Sequence, residues 1–281
     1  MNMSLPHRRL ALAALAAAAA AIASVAILFA SSPAQSPAAV IRKAETRPTI
    51  VLVHGAWADA SSWDGVITRL QARGYTVVAP ANPLRTLRGD AAYVRSVIDS
   101  IKGPVVLVGH SYGGAVITNA ATGAPNVKAL VFIDAFVPAQ GETVLELASK
   151  YPGSDLPAAI TEVPYSQGGT DKGVDVYIKP ASFRAVFAAD VPSRPADLMA
   201  VTQRPVAIAA LTRPSGPPAW KRIPSWYLVG RQDKAIPPAT QEFMAARAHS
   251  HTVEINSSHA SLVSHPGAVT KLILAAVRAK G

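Results

Sequence analysis

The 281-residue chain has no cysteine. That excludes a disulfide framework and a thiolate metal site. Charge is also sparse: 16% of residues are Asp, Glu, Lys or Arg, against 50% hydrophobic. So much apolar material over this length can build a core that stands without staples. Acids are outnumbered, 17 against 27 Lys and Arg. The basic residues are scattered, and no nucleic-acid-binding motif accompanies them, so the imbalance reads as an ordinary basic surface. No Gly-rich loop matches a phosphate or dinucleotide cradle, and no His/Asp/Glu spacing suits a metal. No internal repeat is visible. No cofactor, no metal and no nucleic-acid partner is therefore expected.

The first 34 residues read as an export segment. His7, Arg8 and Arg9 precede an almost wholly Ala, Leu, Ile and Val stretch over residues 10–30, and Ser32-Pro33-Ala34 offers a small-residue exit. The arginine pair hints at the twin-arginine route. The apolar stretch is also long enough to span a bilayer, so an uncleaved anchor is the alternative, and the only membrane contact expected. Either way the globular part is expected outside the cytoplasmic membrane, periplasmic or secreted. Residues 35–47 are rich in Pro, Ala and Ser and read as a linker.

From residue 48 onward strands and helices alternate. Apolar, β-branched runs at 49–53, 75–79, 105–108, 127–133, 225–229 and 252–255 read as strands buried in a parallel sheet. Helical patterns lie between them: from Ser61 to Gly74, from Asp90 to Ile101, over 115–121, from Pro237 to Arg247, and from His265 to Lys280 with Ser264 as its cap. This predicts an α/β fold, a mostly parallel doubly wound sheet with helices on both faces. Between Pro138 and Ile223 the alternation breaks down. Eleven of the 23 prolines fall there, which argues against regular sheet and for short helices over 142–150, 182–189 and 196–202. The insertion, 138–223, lies at the sheet edge where strand C-termini gather ligands, so it reads as a helical lid.

Chemistry concentrates after the strand at 105–108. Gly109-His110-Ser111-Tyr112-Gly113 is a Gly-x-Ser-x-Gly turn between a strand and a small-residue helix. Glycines let strand and helix pass in backbone contact, and the bend lifts the Ser111 hydroxyl clear. A serine hydroxyl needs a base, and the base needs an orienting group. His259, beyond the last strand, is the candidate base, with His265 the alternative. Asp233, directly after the strand at 225–229, is the candidate acid, with Asp134 its rival. The amides of Tyr112 and Ala56, with Trp57 next in line, are placed to meet an oxyanion. His110 is expected to point away from the serine, His54 to pack beneath the first loop, and His249 and His251 to lie on the surface. Trp57, Tyr151, Tyr165, Phe183, Phe187 and Leu198 line a pocket or pack the lid.

His54-Gly55-Ala56-Trp57, the Gly-His-Ser-Tyr-Gly-Gly turn, Gly230-Arg231-Gln232-Asp233 and Ser258-His259 together resemble the α/β-hydrolase superfamily, from about residue 49 to the end. Within it, the compact lid and first loop are similar to the branch holding plant methyl esterases and hydroxynitrile lyases. The lyases carry a Thr after the His of that loop and a Lys after the catalytic His. Here those places hold Gly55 and Ala260, a departure toward the esterases. A Ser nucleophile in place of Asp also argues against dehalogenase and epoxide hydrolase chemistry. The resemblance implies a serine hydrolase of small carboxylic esters, with lactonase, amidase, perhydrolase or a non-catalytic ligand-binding protein as alternatives.

Overall fold

The computed structural model describes residues 47–166 and 172–279; the predicted leader and all but the last residue of the predicted linker lie outside these. In chain order the elements are β1 (Thr49–Val53), α1 (Asp64–Gln71), β2 (Val77–Val78), α2 (Leu87–Asp99), β3 (Val105–His110), α3 (Tyr112–Ala120) and β4 (Val127–Ile133). The inserted segment holds α4 (Val144–Ala148), α5 (Leu156–Ala159), β5 (Ile160–Ser166), β6 (Lys172–Ile178), α6 (Pro180–Phe187), α7 (Ser193–Thr202), β7 (Val206–Ala207) and α8 (Ile208–Thr212). Then come β8 (Ser225–Gly230), α9 (Pro238–Arg247), β9 (His251–Ile255), α10 (Ser261–Ser264) and α11 (Pro266–Arg278).

The main sheet has six parallel strands in the order β2-β1-β3-β4-β8-β9. Every residue of β3 and β8 is buried, as their unbroken apolar runs require of strands covered on both faces. One core lies beneath α1 and α11, around Trp63, Leu70, Val108, Val131 and Ile273. The other joins α2, α3 and α9 to the insertion, around Val94, Ile117, Phe132, Tyr227 and Met244.

Several element ends differ from the pattern reading, three of them informatively. The second strand is only two residues, Val77 and Val78, the pair that lies beside Ile50 and Val51 of β1. The helix expected from Asp90 begins at Leu87, since Thr86 caps it by accepting the Gly89 amide hydrogen at 3.1 Å. Ser264 does not cap the last helix. It closes α10, its hydroxyl donating to the Ala260 carbonyl, and His265 stands at the α11 start with Pro266 next.

The larger correction concerns the insertion, which is not purely helical. It carries an antiparallel three-stranded sheet, β5-β6-β7. Pro164 is tolerated because β5 is an edge strand: it pairs only with β6, where Pro164 faces Val174. Gln203 closes the end of β6 by bonding both the amide and the carbonyl of Ile178. The sheet is moored to the body by the Arg85–Asp175 ion pair at 2.8 Å and by the Ala207 amide donating to the Leu84 carbonyl at 2.9 Å.

Candidate active site

β3 runs straight into the bend at Ser111, whose φ of 52° lies in the left-handed region that non-glycine residues avoid. The crossing of β3 and α3 leaves no room for side chains. A Cβ on Gly109 would sit 2.6 Å from the Gly113 carbonyl oxygen, and one on Gly113 would sit 2.4 Å from that of Val53. Such strain persists only where the surroundings overdetermine it, and it is a mark of functional sites.

The bend brings three distant side chains into one line. His259 Nε2 lies 2.8 Å from Ser111 Oγ, and His259 Nδ1 lies 2.7 Å from Asp233 Oδ2. All three residues are at most 2% exposed. Asp233 follows β8 and its carboxylate is an acceptor throughout: Oδ1 takes the Ala235 and Ile236 amide hydrogens at 2.7 and 2.9 Å, and Oδ2 takes the Gln241 side-chain amide at 2.7 Å. Burial raises the Asp233 carboxyl, and these donors offset part of the rise. Burial pushes the His259 imidazole down to about 3, so the ring is neutral at pH 7. With Nδ1–H given to Asp233, the Nε2 lone pair faces the hydroxyl and can take its proton.

The rival acid is set apart. Asp134, after β4, accepts from Ser261 Oγ, and its Oδ1 has no partner among the described residues. Burial, reinforced by the neighbouring Asp233 charge, raises its carboxyl well above the usual range. It makes no bond to His259. His265 is likewise not beside Ser111: its Nδ1 meets Ser264 and Asp190. His110 makes no bond to the Ser111 hydroxyl and meets His259 instead. Its ring lies against that of His259, centroids 4.8 Å apart, and its Nε2 is 2.9 Å from the His259 carbonyl oxygen. His54 is buried beneath the first loop as expected, and His249 and His251 are exposed.

The loop after β1 presses on the serine: a Cβ on Gly55 would meet that of Ser111 at 2.6 Å. Trp57 is held away from the centre. Its amide donates to the Arg204 carbonyl at 2.9 Å, and its indole N–H donates to the Val176 carbonyl at 2.8 Å. Its amide is thereby engaged and does not face Ser111 as a free oxyanion donor.

Ser111 and His259 open on a cavity of about 260 Å³. Its wall is apolar, from Trp57, Phe136, Val144, Leu156, Val176, Ile208, Leu211 and Ile236 among others, and besides His259 itself Glu162 is the one acidic or basic side chain in it among the described residues. Of the predicted pocket residues only Trp57 belongs to that wall. Phe183 and Phe187 are fully buried and stack on each other, with the Phe187 ring 4.8 Å from His259 in an edge contact. Tyr165 lies under Arg85 and over Gly173. Tyr151 packs beside Phe243, and Leu198 is 60% exposed. The lining from β6 and α8 escaped the sequence reading, because it depends on the sheet that prolines concealed.

The chain has known relatives. Residues 50–272 match the model of the alpha/beta hydrolase family, and the chain belongs to that family. It is 30% identical to a pyrethroid hydrolase of Sphingobium wenxiniae over 244 residues, covering 80% of this chain and 85% of that one. It is 25% identical to methylesterase 17 of Arabidopsis thaliana, covering 83% and 93%. A shorter match, 36% identical over 113 residues, links 36% of this chain with 47% of a carbendazim hydrolyzing esterase from a Nocardioides strain. Among solved structures, polyneuridine aldehyde esterase superposes with a TM-score of 0.71 at 22% identity, covering 82% of this chain and 99% of that one.

Proposed function

We propose that this chain is a serine hydrolase of small, uncharged carboxylic esters that works through an acyl-enzyme. The observation that carries the reading is the continuous line Ser111–His259–Asp233 opening on an apolar cavity. Ser111 attacks the ester carbonyl while His259 takes its proton. Asp233 holds the imidazole in the tautomer that leaves Nε2 free. The amides of Ala56 and Tyr112 receive the charge that develops on the carbonyl oxygen, each worth roughly 2.7–4 kcal/mol of barrier. The imidazolium then protonates the leaving alcohol. Water, activated by the same ring, releases the acid.

The cavity supports a neutral, apolar substrate. It offers aliphatic and aromatic surface and, among the described residues, no Lys or Arg for a carboxylate to pair with. The esterase and hydrolase names of the relatives point the same way. The leader adds a location: residues 1–34 direct the hydrolase out of the cytoplasm, which fractionation of the producing cell checks.

A fluorophosphonate probe tests the chemistry. Wild type takes the label and hydrolyses p-nitrophenyl esters; Ser111→Ala and His259→Ala do neither. Labelling of Ser111→Ala, or no labelling of folded wild type, overturns the reading and leaves a binding protein of hydrolase fold.

A further inference from the structure

The turn that carries His259 has no regular structure of its own, yet its base must stay within hydrogen-bond reach of Ser111. Residues 257–260 lie between β9 and α10 and are pinned from several sides. The Ser257 carbonyl accepts the Gln232 amide hydrogen at 3.0 Å, and the His259 carbonyl meets His110 Nε2 at 2.9 Å. Both anchors come from the body of the fold. The third comes from the insertion. Ser258 Oγ, 1% exposed, donates to Asp190 Oδ1, a residue 68 positions away in the short connection between α6 and α7.

The second oxygen of Asp190 makes no hydrogen bond among the described residues and stands 3.5 Å from His265 Nδ1, at the start of α11. The turn it sits in is braced by Arg184, whose Nε donates to the Val191 carbonyl at 3.2 Å. Three residues back, Phe187 sets its ring edge against His259 at 4.8 Å between centroids. One short stretch of the insertion therefore grips the base turn twice, once by the ring and once through the neighbouring hydroxyl.

We infer that Asp190 is a positioning residue: through Ser258 it seats the His259 imidazole against Ser111, making the insertion a working part of the base rather than a cover. This rests on the serine hydrolase reading above. A charged acceptor suits the task, since a bond to a carboxylate is about twice as strong as a neutral one and fixes the hydroxyl in one direction. Catalytic groups held loosely lose rate steeply, of order a hundredfold for an ångström of misplacement.

The test is a cycle on full-length protein: Asp190→Ala, Ser258→Ala and the double variant, with Asp190→Asn as the conservative replacement. Asp190→Ala lowers kcat on a p-nitrophenyl ester at least tenfold with KM within twofold. Ser258→Ala does the same, the double variant is no worse than either, and Asp190→Asn, which keeps an acceptor oxygen, recovers most of the loss. Independent losses that multiply in the double variant, or a loss in KM alone, overturn the inference. The downfield NMR signal of the His259–Asp233 proton gives a readout independent of turnover. It is sharp in wild type and Asp190→Asn and exchange-broadened in Asp190→Ala and Ser258→Ala; an unchanged signal in those two also overturns the inference. If wild type proves inactive but this signal responds as described, the hydrolase reading falls and the seating of His259 stands.

Discussion

The Nε2 atom of His54 accepts the Asn82 amide hydrogen at 2.9 Å. Its other nitrogen lies 2.9 Å from the Gly55 carbonyl, and the Asn82 side chain returns a bond to the His54 carbonyl at 3.0 Å. Only a neutral imidazole can accept at one nitrogen while donating at the other. Burial enforces this, pushing the His54 ring down to about 4.

Stability therefore carries a pH term from this residue. A histidine with a folded pKa below its unfolded value of about 6.5 stabilises fully above that value, and its contribution falls as pH drops toward 4, by about 1.4 kcal/mol per unit. His54→Gln lacks the titration. Urea unfolding at pH 7.5 and 5 is expected to show the gap between wild type and variant narrowing by about 2 kcal/mol. A gap that stays constant contradicts the assignment of a neutral, buried ring.

The two buried carboxylates separate cleanly on substitution. Asp233 meets the imidazole and Asp134 does not. Asp233→Asn should lower kcat by about 10³–10⁴, because the amide stabilises the wrong tautomer and no longer offsets the imidazolium. Asp134 accepts from Ser261 and makes no bond to the imidazole, so its replacement leaves the base untouched. Asp134→Asn should keep kcat within about tenfold and shift unfolding by about 1 kcal/mol or less. The reverse ranking in steady-state kinetics would make Asp134 the acid.

Strain at the elbow can be read as stability. Ser111 holds a φ of 52° with a side chain attached. Glycine relieves that conformation and alanine does not. Ser111→Gly is expected to unfold at higher denaturant than Ser111→Ala, by about 1 kcal/mol or more, although both are inactive. Equal midpoints would show that the bend costs the fold nothing.

If the cavity takes the acyl group, its wall sets the preference among esters. Ala148 borders the cavity on α4. Ala148→Phe fills part of the space and should lower kcat/KM for medium-chain p-nitrophenyl esters about tenfold or more, while acetate stays within about twofold. Glu162, the single charged lining residue among those described, is expected to disfavour anionic esters. Glu162→Gln should raise kcat/KM for a succinate monoester relative to its neutral analogue. No change in either series would move the substrate out of this cavity.

Much of this architecture is legible in the sequence because burial on two faces writes itself as uninterrupted Val, Leu and Ile. The runs at Val105–Val108 and Val127–Ile133 could be little else, and a Gly-x-Ser-x-Gly turn between strand and helix names its own chemistry. The strands of the insertion do not announce themselves. β5 is exposed along most of its length and contains Pro164, and only its position at an edge makes that acceptable. The aromatic side chains mislead for a related reason. Phe183 and Phe187 are apolar enough for a pocket, but they serve as backing for the base, and composition does not distinguish a wall from its buttress. The contacts of Asp190 and Arg204 with the site, carried by a hydroxyl and a backbone carbonyl, leave no pattern along the chain.

Trp57 hangs from two carbonyls of the insertion, those of Arg204 and Val176. The residue before it, Ala56, is a proposed oxyanion donor. A lid transplanted from another hydrolase to alter selectivity would arrive without those suspension points, and the donor would drift with the loop. Diversification on this scaffold is thereby channelled into single replacements facing the cavity, and wholesale exchange of the cover is closed off as a route to new substrates.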